Sequence, residues 1–351
     1  MKKLLQTTLI FVSVLIFSQK QEIIKERGNL SNPKGNIYKS LEVIDQRADQ
    51  NIGEMAFGDN KEMREITFPS TAGDFLGKWY ADSNHKGGKY EMVLVLKHLK
   101  TYLGETDGKE TEGDIEFSAQ AFMKEGDQYK FIYKKDTVYS FKSRNISDVM
   151  MKNIPVVFAM FLKKTYTVKP RENAVALDAL TDYESYVRNN SAAYKNDQLK
   201  DGIYLSHEAF MNQTPEPGKY ILEKNAKGSV TKAVKEENGK KDRISAGEMY
   251  GYVENGKPYK QTYSGFQELN KNDRGFYLIS NWGYLVPARN SSLFISVGGG
   301  TNGGMYGGIA VGLVGLFEKS MRQSRMRRED KFPVYIDPLT GEYDFSEEYE
   351  Q

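Results

Sequence analysis

Proton transfer and transition-metal binding near neutral pH fall first to histidine, and this chain holds three: His85, His98 and His207. No two are spaced as H-x-x-x-H or H-E-x-x-H, so no pair shares a helix face as a zinc site of that kind requires. His98 lies in an apolar run, MVLVLKHL, and His207 opens a turn after Ser206; both read as structural histidines with their ring nitrogens satisfied. No serine occupies the G-x-S-x-G elbow of an α/β-hydrolase. Cysteine is absent, which removes thiol catalysis, cysteine metal sites and disulfides. The acidic stretch Gly104–Asp114, GETDGKETEGD, does not fit the D-x-[DN]-x-[DN]-G calcium loop and reads as a solvated hairpin loop. Carboxylates are plentiful, but glycoside chemistry depends on their separation in space. These residues predict no catalytic, cofactor-binding or metal-binding set.

The strongest compositional departure is Gly298–Gly315, GGGTNGGMYGGIAVGLVG. It contains no G-x-x-x-x-G-K-[ST], and the G-x-G-x-x-G matches inside it follow no βαβ unit, so a phosphate loop is not indicated. Gly300, Gly304, Gly308 and Gly312 recur every fourth residue. On a helix this spacing makes a smooth ridge that another backbone can approach closely. With Leu313, Leu316 and Phe317 it predicts a close-packing helix over residues 305–328, facing a partner, a second copy or the chain's own sheet. The basic run that follows supplies Arg322, Arg325, Arg327 and Arg328 as candidate contacts to an anionic surface. The apolar part, Met305–Phe317, is about 20 Å long as a helix, too short for a hydrocarbon layer of about 30 Å.

The chain has 351 residues, with Lys+Arg 49 against Asp+Glu 47, so no global attraction to nucleic acid is expected. Lys2 and Lys3 followed by the mostly apolar stretch Leu4–Phe17 read as an export signal, with small Ser18 at the cleavage position. The mature protein is therefore expected in an extracytoplasmic space: periplasmic, associated with the outer membrane, or secreted.

The elements that would carry these residues are α+β in two domains. Residues 19–37 are polar and read as a flexible arm. Over 38–168, Leu41–Ile44 and Glu62–Phe68 suggest strands, and Ser70 or Thr71 caps a helix with Phe75, Leu76, Trp79 and Tyr80 on one face. Helical spacing here outweighs a lipocalin-like G-x-W reading of Gly77 and Trp79. The run Lys89–Leu99 has the continuous apolar character of a strand covered on both sides. Asp114–Met123 alternates, as do Tyr129, Phe131 and Tyr133 after a turn at Glu125–Asp127. Ser147 and Asp148 cap a second helix carrying Met150, Ile154, Val157, Phe158, Phe161 and Leu162, with Pro155 kinking it or marking its first turn.

The string VIDQRADQNIG with this order of elements resembles the YajG-type envelope lipoprotein domain and the auxiliary lipoproteins of ABC transport systems, on Asp45 and Arg47 of a V-x-D-x-R pattern. The resemblance implies a non-catalytic envelope protein; the chain departs from it in lacking the lipid-modified cysteine.

Residues 169–200 read as a helical connection through Val175, Leu177, Leu180, Tyr183 and Val187. From 201 to 351 the pattern is of short strands, clearest at YGYVENGKPYKQTY, where Asn255-Gly256 predicts a type I′ hairpin. The aromatic residues Tyr250, Tyr252, Tyr259, Tyr263 and Phe266 read as the core of a small sheet rather than a sugar-binding face. The half as a whole resembles a family of uncharacterised exported proteins of Gram-negative bacteria, through Asp201–Leu205, Tyr250-Gly251-Tyr252 and Asp337–Gly341. That resemblance implies location and architecture but no chemistry. The sequence thus leads to an exported, non-enzymatic envelope protein that binds or scaffolds a partner or itself. Attachment to an anionic membrane surface is one alternative reading, and an extracytoplasmic hydrolase is another.

Overall fold

A strand that is apolar on both faces must be covered on both, and three such strands organise this chain. The structure is a computed structural model that describes residues 20–32, 35, 37–85, 88–237, 240–280, 285 and 331–344. The export-like segment 1–18 lies outside the described residues. So do the glycine-ridge residues Gly300, Gly304, Gly308, Gly312, Leu313, Leu316 and Phe317 and the arginines at 322, 325, 327 and 328.

The N-terminal half runs β1 (Gln21–Ile23), β2 (Tyr38–Asp45), β3 (Glu54–Phe57), β4 (Glu62–Thr67) and helix α1 (Ala72–Ser83). The long strands β5 (Tyr90–Asp107), β6 (Glu110–Glu125) and β7 (Gln128–Ser143) follow, then helix α2 (Ile146–Thr165) and the short β8 (Ala174–Val175). The main sheet has the order β2-β5-β6-β7-β8, parallel between β2 and β5 and antiparallel elsewhere. The remaining strands of this half form a small sheet, β1-β4-β3. The chain is α+β.

Alternation decides what each face of the main sheet meets. Met92, Leu94 and Leu96 of β5 and Ile115, Phe117, Ala119 and Ala121 of β6 join one core with Phe75, Leu76, Trp79 and Tyr80 of α1 and Ile154, Phe158 and Leu162 of α2. The intervening Val93 and Val95, with Phe122 and Phe131, belong to a second core. That core is completed by Tyr183, Tyr204, Phe210, Leu278, Val334 and Leu339, so it draws on both halves of the chain.

Several local expectations change in the structure. The arm at 19–37 instead holds β1, paired with β4, and buries Ile24 and Leu30. Trp79 Nε1 donates to Gly28 O at 3.1 Å and the Tyr166 hydroxyl to Leu30 O at 2.6 Å, so a sequence polar on average is tied down at a few points. Thr71 caps α1 by accepting from Asp74 N at 3.0 Å. Helix α2 begins one turn position earlier than expected: Asn145 precedes it without a side-chain cap, Ser147 is buried within it, and Pro155 lies inside it. The acidic 104–114 stretch is not a loop, because β5 and β6 pair out to Asp107 and Glu110 around a two-residue turn with Gly108 at φ +65°.

After β8 comes a 3₁₀ turn (Leu177–Leu180) and helices α3 (Tyr183–Asn190) and α4 (Ala192–Lys195). The expected single connecting helix is thus broken into pieces, and Leu177 is exposed while Val175, Leu180, Tyr183 and Val187 are buried. Strand β9 (Gly202–Tyr204) and helix α5 (His207–Asn212) lead to the meander β10 (Ile221–Lys224), β11 (Val230–Glu237) and β12 (Lys240–Ser245). Then come β13 (Gly251–Glu254), β14 (Lys257–Thr262), β15 (Gly265–Glu268), β16 (Asn270–Asn272) and β17 (Gly275–Ser280). The last described strands are β18 (Phe332–Ile336) and β19 (Tyr343–Asp344). They give one sheet β15-β14-β13-β9 and another β16-β17-β18-β19. At the β13–β14 hairpin both Asn255 and Gly256 have positive φ, 54° and 76°, as the type I′ reading requires.

One close approach offers a direct test of the packing. A Cβ on Gly113 of β6 would lie 2.3 Å from Met150 Sδ and 2.7 Å from Ile146 Cγ1, at the start of α2. Gly113→Val is expected to lower unfolding free energy by about 1–3 kcal/mol through overpacking, measured by urea unfolding; an unchanged midpoint would contradict this packing.

Candidate functional site

Strand β7 carries an irregularity that controls the chemistry of the second sheet face. Phe131 pairs with Phe122 but Tyr133 pairs with Ala121, so Ile132 is an extra residue. One extra residue inverts which side chains face which side. Tyr133 therefore packs on the helix-covered core, 5.5 Å from Phe161 ring to ring, not beside Phe131 as plain alternation implies. Lys134 turns to the opposite face.

There the Lys134 ammonium, with only 6% of its side chain exposed, meets three carboxylates: Asp136 Oδ2 at 2.6 Å, Glu184 Oε1 at 2.6 Å and Asp337 Oδ2 at 2.5 Å. Glu184 lies on α3 and Asp337 just beyond β18, so the contact joins β7 to segments 50 and 203 positions away (184 − 134 and 337 − 134). Burial alone would lower the lysine pKa, but the attraction of Asp136, Asp337 and Glu184 reverses this and holds it well above the usual range. Burial likewise works to raise Asp337, yet Lys134 and the amides of Thr340 and Leu339 keep it ionised, below the usual carboxylate range. Ligating oxygens of Asp136, Glu184 and Asp337 lie within 4.8 Å of one another, a spacing that can hold a hard cation; here the lysine amine stands among them as the positive charge.

Asp337 also shapes the turn that follows it. Its Oδ1 accepts from Leu339 N at 2.8 Å, Thr340 N at 2.7 Å and Thr340 Oγ1 at 3.0 Å. Gly341, at φ +73°, lies against the His207 ring, where a Cβ would be 2.7 Å from Cγ. The body grips the turn by its carbonyls. Arg171 Nη2 donates to Leu339 O, and His207 Nε2 lies 3.0 Å from Pro338 O, which can only accept. His207 Nδ1 is then the unprotonated nitrogen and accepts from the Tyr250 hydroxyl at 3.0 Å. Burial lowers the His207 pKa to about 4, so the ring is neutral at pH 7. Lys260 of β14 is buried with its Nζ over the rings of Tyr250, at 4.4 Å, and Tyr343, at 5.3 Å, and has no ion pair among the described residues. Desolvation lowers its pKa to about 8.

The three short strings of the C-terminal half converge here. Strand β9 pairs with β13, Gly251 opposite Tyr204, and Asp201 accepts from the amides of Asn255 and Gly256. The Asp337–Gly341 turn docks on His207 beside them. In the N-terminal half, Asp45 and Arg47 form a two-pronged ion pair, at 2.9 and 2.8 Å, with Arg47 also donating to Gln50 O. That arrangement holds a strand end. His98 lies at the sheet margin with its side chain half exposed, 2.8 Å from Glu116 Oε2. Tyr252, Tyr259 and Phe266 pack together as a small core, while Tyr263 is exposed. A surface cleft of about 420 Å³ opens near Lys39, Lys89 and Lys124, each of which is paired with Glu91 or Glu125.

The partner-interface and anionic-surface residues expected from sequence lie outside the described residues, and sequence reasoning missed the Lys134 cluster. Its signal, a D-P-x-T-G turn plus a lysine amid aromatic strand residues, had no partner assignable along the chain. Comparison with protein-family models, curated proteins and solved structures finds no match.

Removing one member of a buried ion pair strands the other, typically costing about 3–5 kcal/mol. Lys134→Ala is expected to destabilise by about that much in urea unfolding at pH 7. The double variant Lys134→Met/Asp337→Asn should lose less than the sum of its single changes; strict additivity would show that the two groups do not interact.

Proposed function

We propose that this protein is an exported, non-enzymatic binding or scaffolding component of the cell envelope. In this reading its glycine-rich and basic segment is the element offered to a partner or to a second copy. One observation carries the reading. Strands β17 and β18 are hydrogen-bonded neighbours, with Ser280 opposite Phe332. Residues 281–331 therefore connect the adjacent ends of two paired strands. Leu285 is buried in the second core, and residues 286–330 lie between it and the approach to β18 in sequence. The ridge Gly300, Gly304, Gly308, Gly312 and the arginines 322, 325, 327 and 328 all fall inside that stretch. An element inserted at a single point can engage a partner without disturbing the body's cores.

Further support comes from the export-like residues 1–18 and from the two envelope-protein resemblances. Among the described residues no helix is long and apolar enough to cross a membrane.

The test replaces residues 288–329 by a short Gly-Ser linker in the exported chain. The expected outcome is retained circular dichroism and thermal unfolding, with loss of self-association in sedimentation velocity and loss of co-sedimentation with envelope fractions. The triple change Gly304→Leu, Gly308→Leu, Gly312→Leu should act similarly. If both variants assemble and sediment as the parent does, the reading fails. Binding of the parent, but not the linker variant, to anionic liposomes at low salt would favour surface attachment instead. Export predicts a mature mass beginning at Gln19, read by mass spectrometry of the extracytoplasmic fraction.

A further inference from the structure

A two-residue hairpin turn leaves the amides of its two central residues without a strand partner. Between β13 and β14 those residues are Asn255 and Gly256, because Glu254 and Lys257 form the last pair of the ladder. The same dipeptide can react with itself. A backbone nitrogen that follows asparagine can close a small ring on the side-chain carbonyl carbon, and glycine has no Cβ to hinder the approach. Asn255 is exposed, so water and base reach it.

One carboxylate holds both amides of this turn. Asp201 Oδ1 accepts from Gly256 N at 2.8 Å, and Oδ2 accepts from Asn255 N at 3.1 Å. Asp201 immediately precedes β9, whose Gly202 pairs with Val253 of β13, so strand pairing carries the carboxylate to the turn. Asp201 forms no ion pair among the described residues, and both its oxygens are given to Asn255 and Gly256.

We infer that Asn255 is a self-modifying site and that Asp201 holds it in check. The reaction begins when the Gly256 nitrogen gives up its proton to base. That nitrogen then bonds to the Asn255 side-chain carbon, the bond to the side-chain nitrogen breaks, and ammonia leaves after taking a proton from water. Water opens the resulting cyclic imide at either carbonyl, giving aspartate or isoaspartate. Asp201 opposes the first step twice. Its Oδ1 holds the proton that must leave, and its charge disfavours a second negative charge on the nitrogen beside it. Either product disturbs the turn: aspartate sets a second carboxylate near Asp201, and isoaspartate lengthens the backbone between β13 and β14. The inference does not depend on how the protein engages a partner.

The full mature chain is incubated in mildly alkaline buffer, and its tryptic peptides are followed by mass spectrometry beside a synthetic peptide of residues 244–260. Asn255 is expected to convert about tenfold more slowly in the protein than in the peptide, the factor that one hydrogen bond to a charged group supplies. Asp201→Ala should remove this protection. Asp201→Asn, which keeps an oxygen acceptor without the charge, should fall between the two. Asn238-Gly239 of the same chain is the internal reference, and its rate should be equal in all three proteins. Conversion in the parent at the peptide's rate overturns the inference, as does an unchanged rate in Asp201→Ala or a rise that Asn238 shares. Should Asp201→Ala not fold, Asp201→Asn decides: a rate above the parent's supports the check, and a rate equal to it defeats it.

Discussion

Strands β5, β6 and β7 carry apolar side chains on both faces, and water cannot be left against either. Helices α1 and α2 cover one face and no more, since their buried stripes all point into the core around Phe117 and Phe158. The opposite face, with Val93, Val95, Phe122 and Phe131, must be closed by something else. The structure closes it with α3, α5, β9, β17 and β18 from the C-terminal half. The two halves thus share one sheet, and each completes the other's burial.

Closing a sheet with a distant segment brings polar backbone into the interior, and that backbone needs partners. The Asp337–Gly341 turn arrives with the carbonyls of Pro338 and Leu339 and a carboxylate, and the receiving surface supplies His207, Arg171 and Lys134. The β7 bulge at Ile132 is the backbone device that aims Lys134 at this surface instead of at the helices. A buried lysine is tolerable only with counter-charge, and Asp136, Glu184 and Asp337 provide it. Lys260 takes the other route: it gains aromatic faces in place of a carboxylate, and its basicity falls to match.

The same topology fixes the two strand ends that residues 281–331 connect. Because β18 must return to lie against β17, the chain between them begins and ends at one side of the β16–β19 sheet.

Much of the local structure was legible in the residues themselves. The MVLVL run announced a doubly covered strand, the spacing of Phe75, Leu76, Trp79 and Tyr80 a core helix, and Asn255-Gly256 a hairpin whose two residues tolerate positive φ. These readings hold because periodicity and turn chemistry act over a few residues. What failed did so where distant contacts overrule local pattern. Polar residues 20–32 are held by Trp79, Tyr166 and β4, and a one-residue bulge reverses Tyr133 and Lys134. The charge cluster was beyond reach altogether: Lys134 and Asp337 are ordinary surface-type residues in the sequence and become a site only when the chain brings together residues 203 positions apart. Composition and spacing determined many of the strands, helices and turns, and marked 298–328 as unusual. Which segment covers the second face of the sheet, and which charges are buried together as a result, was decided by tertiary packing alone, because burial and Coulomb attraction depend on distance in space and not along the chain.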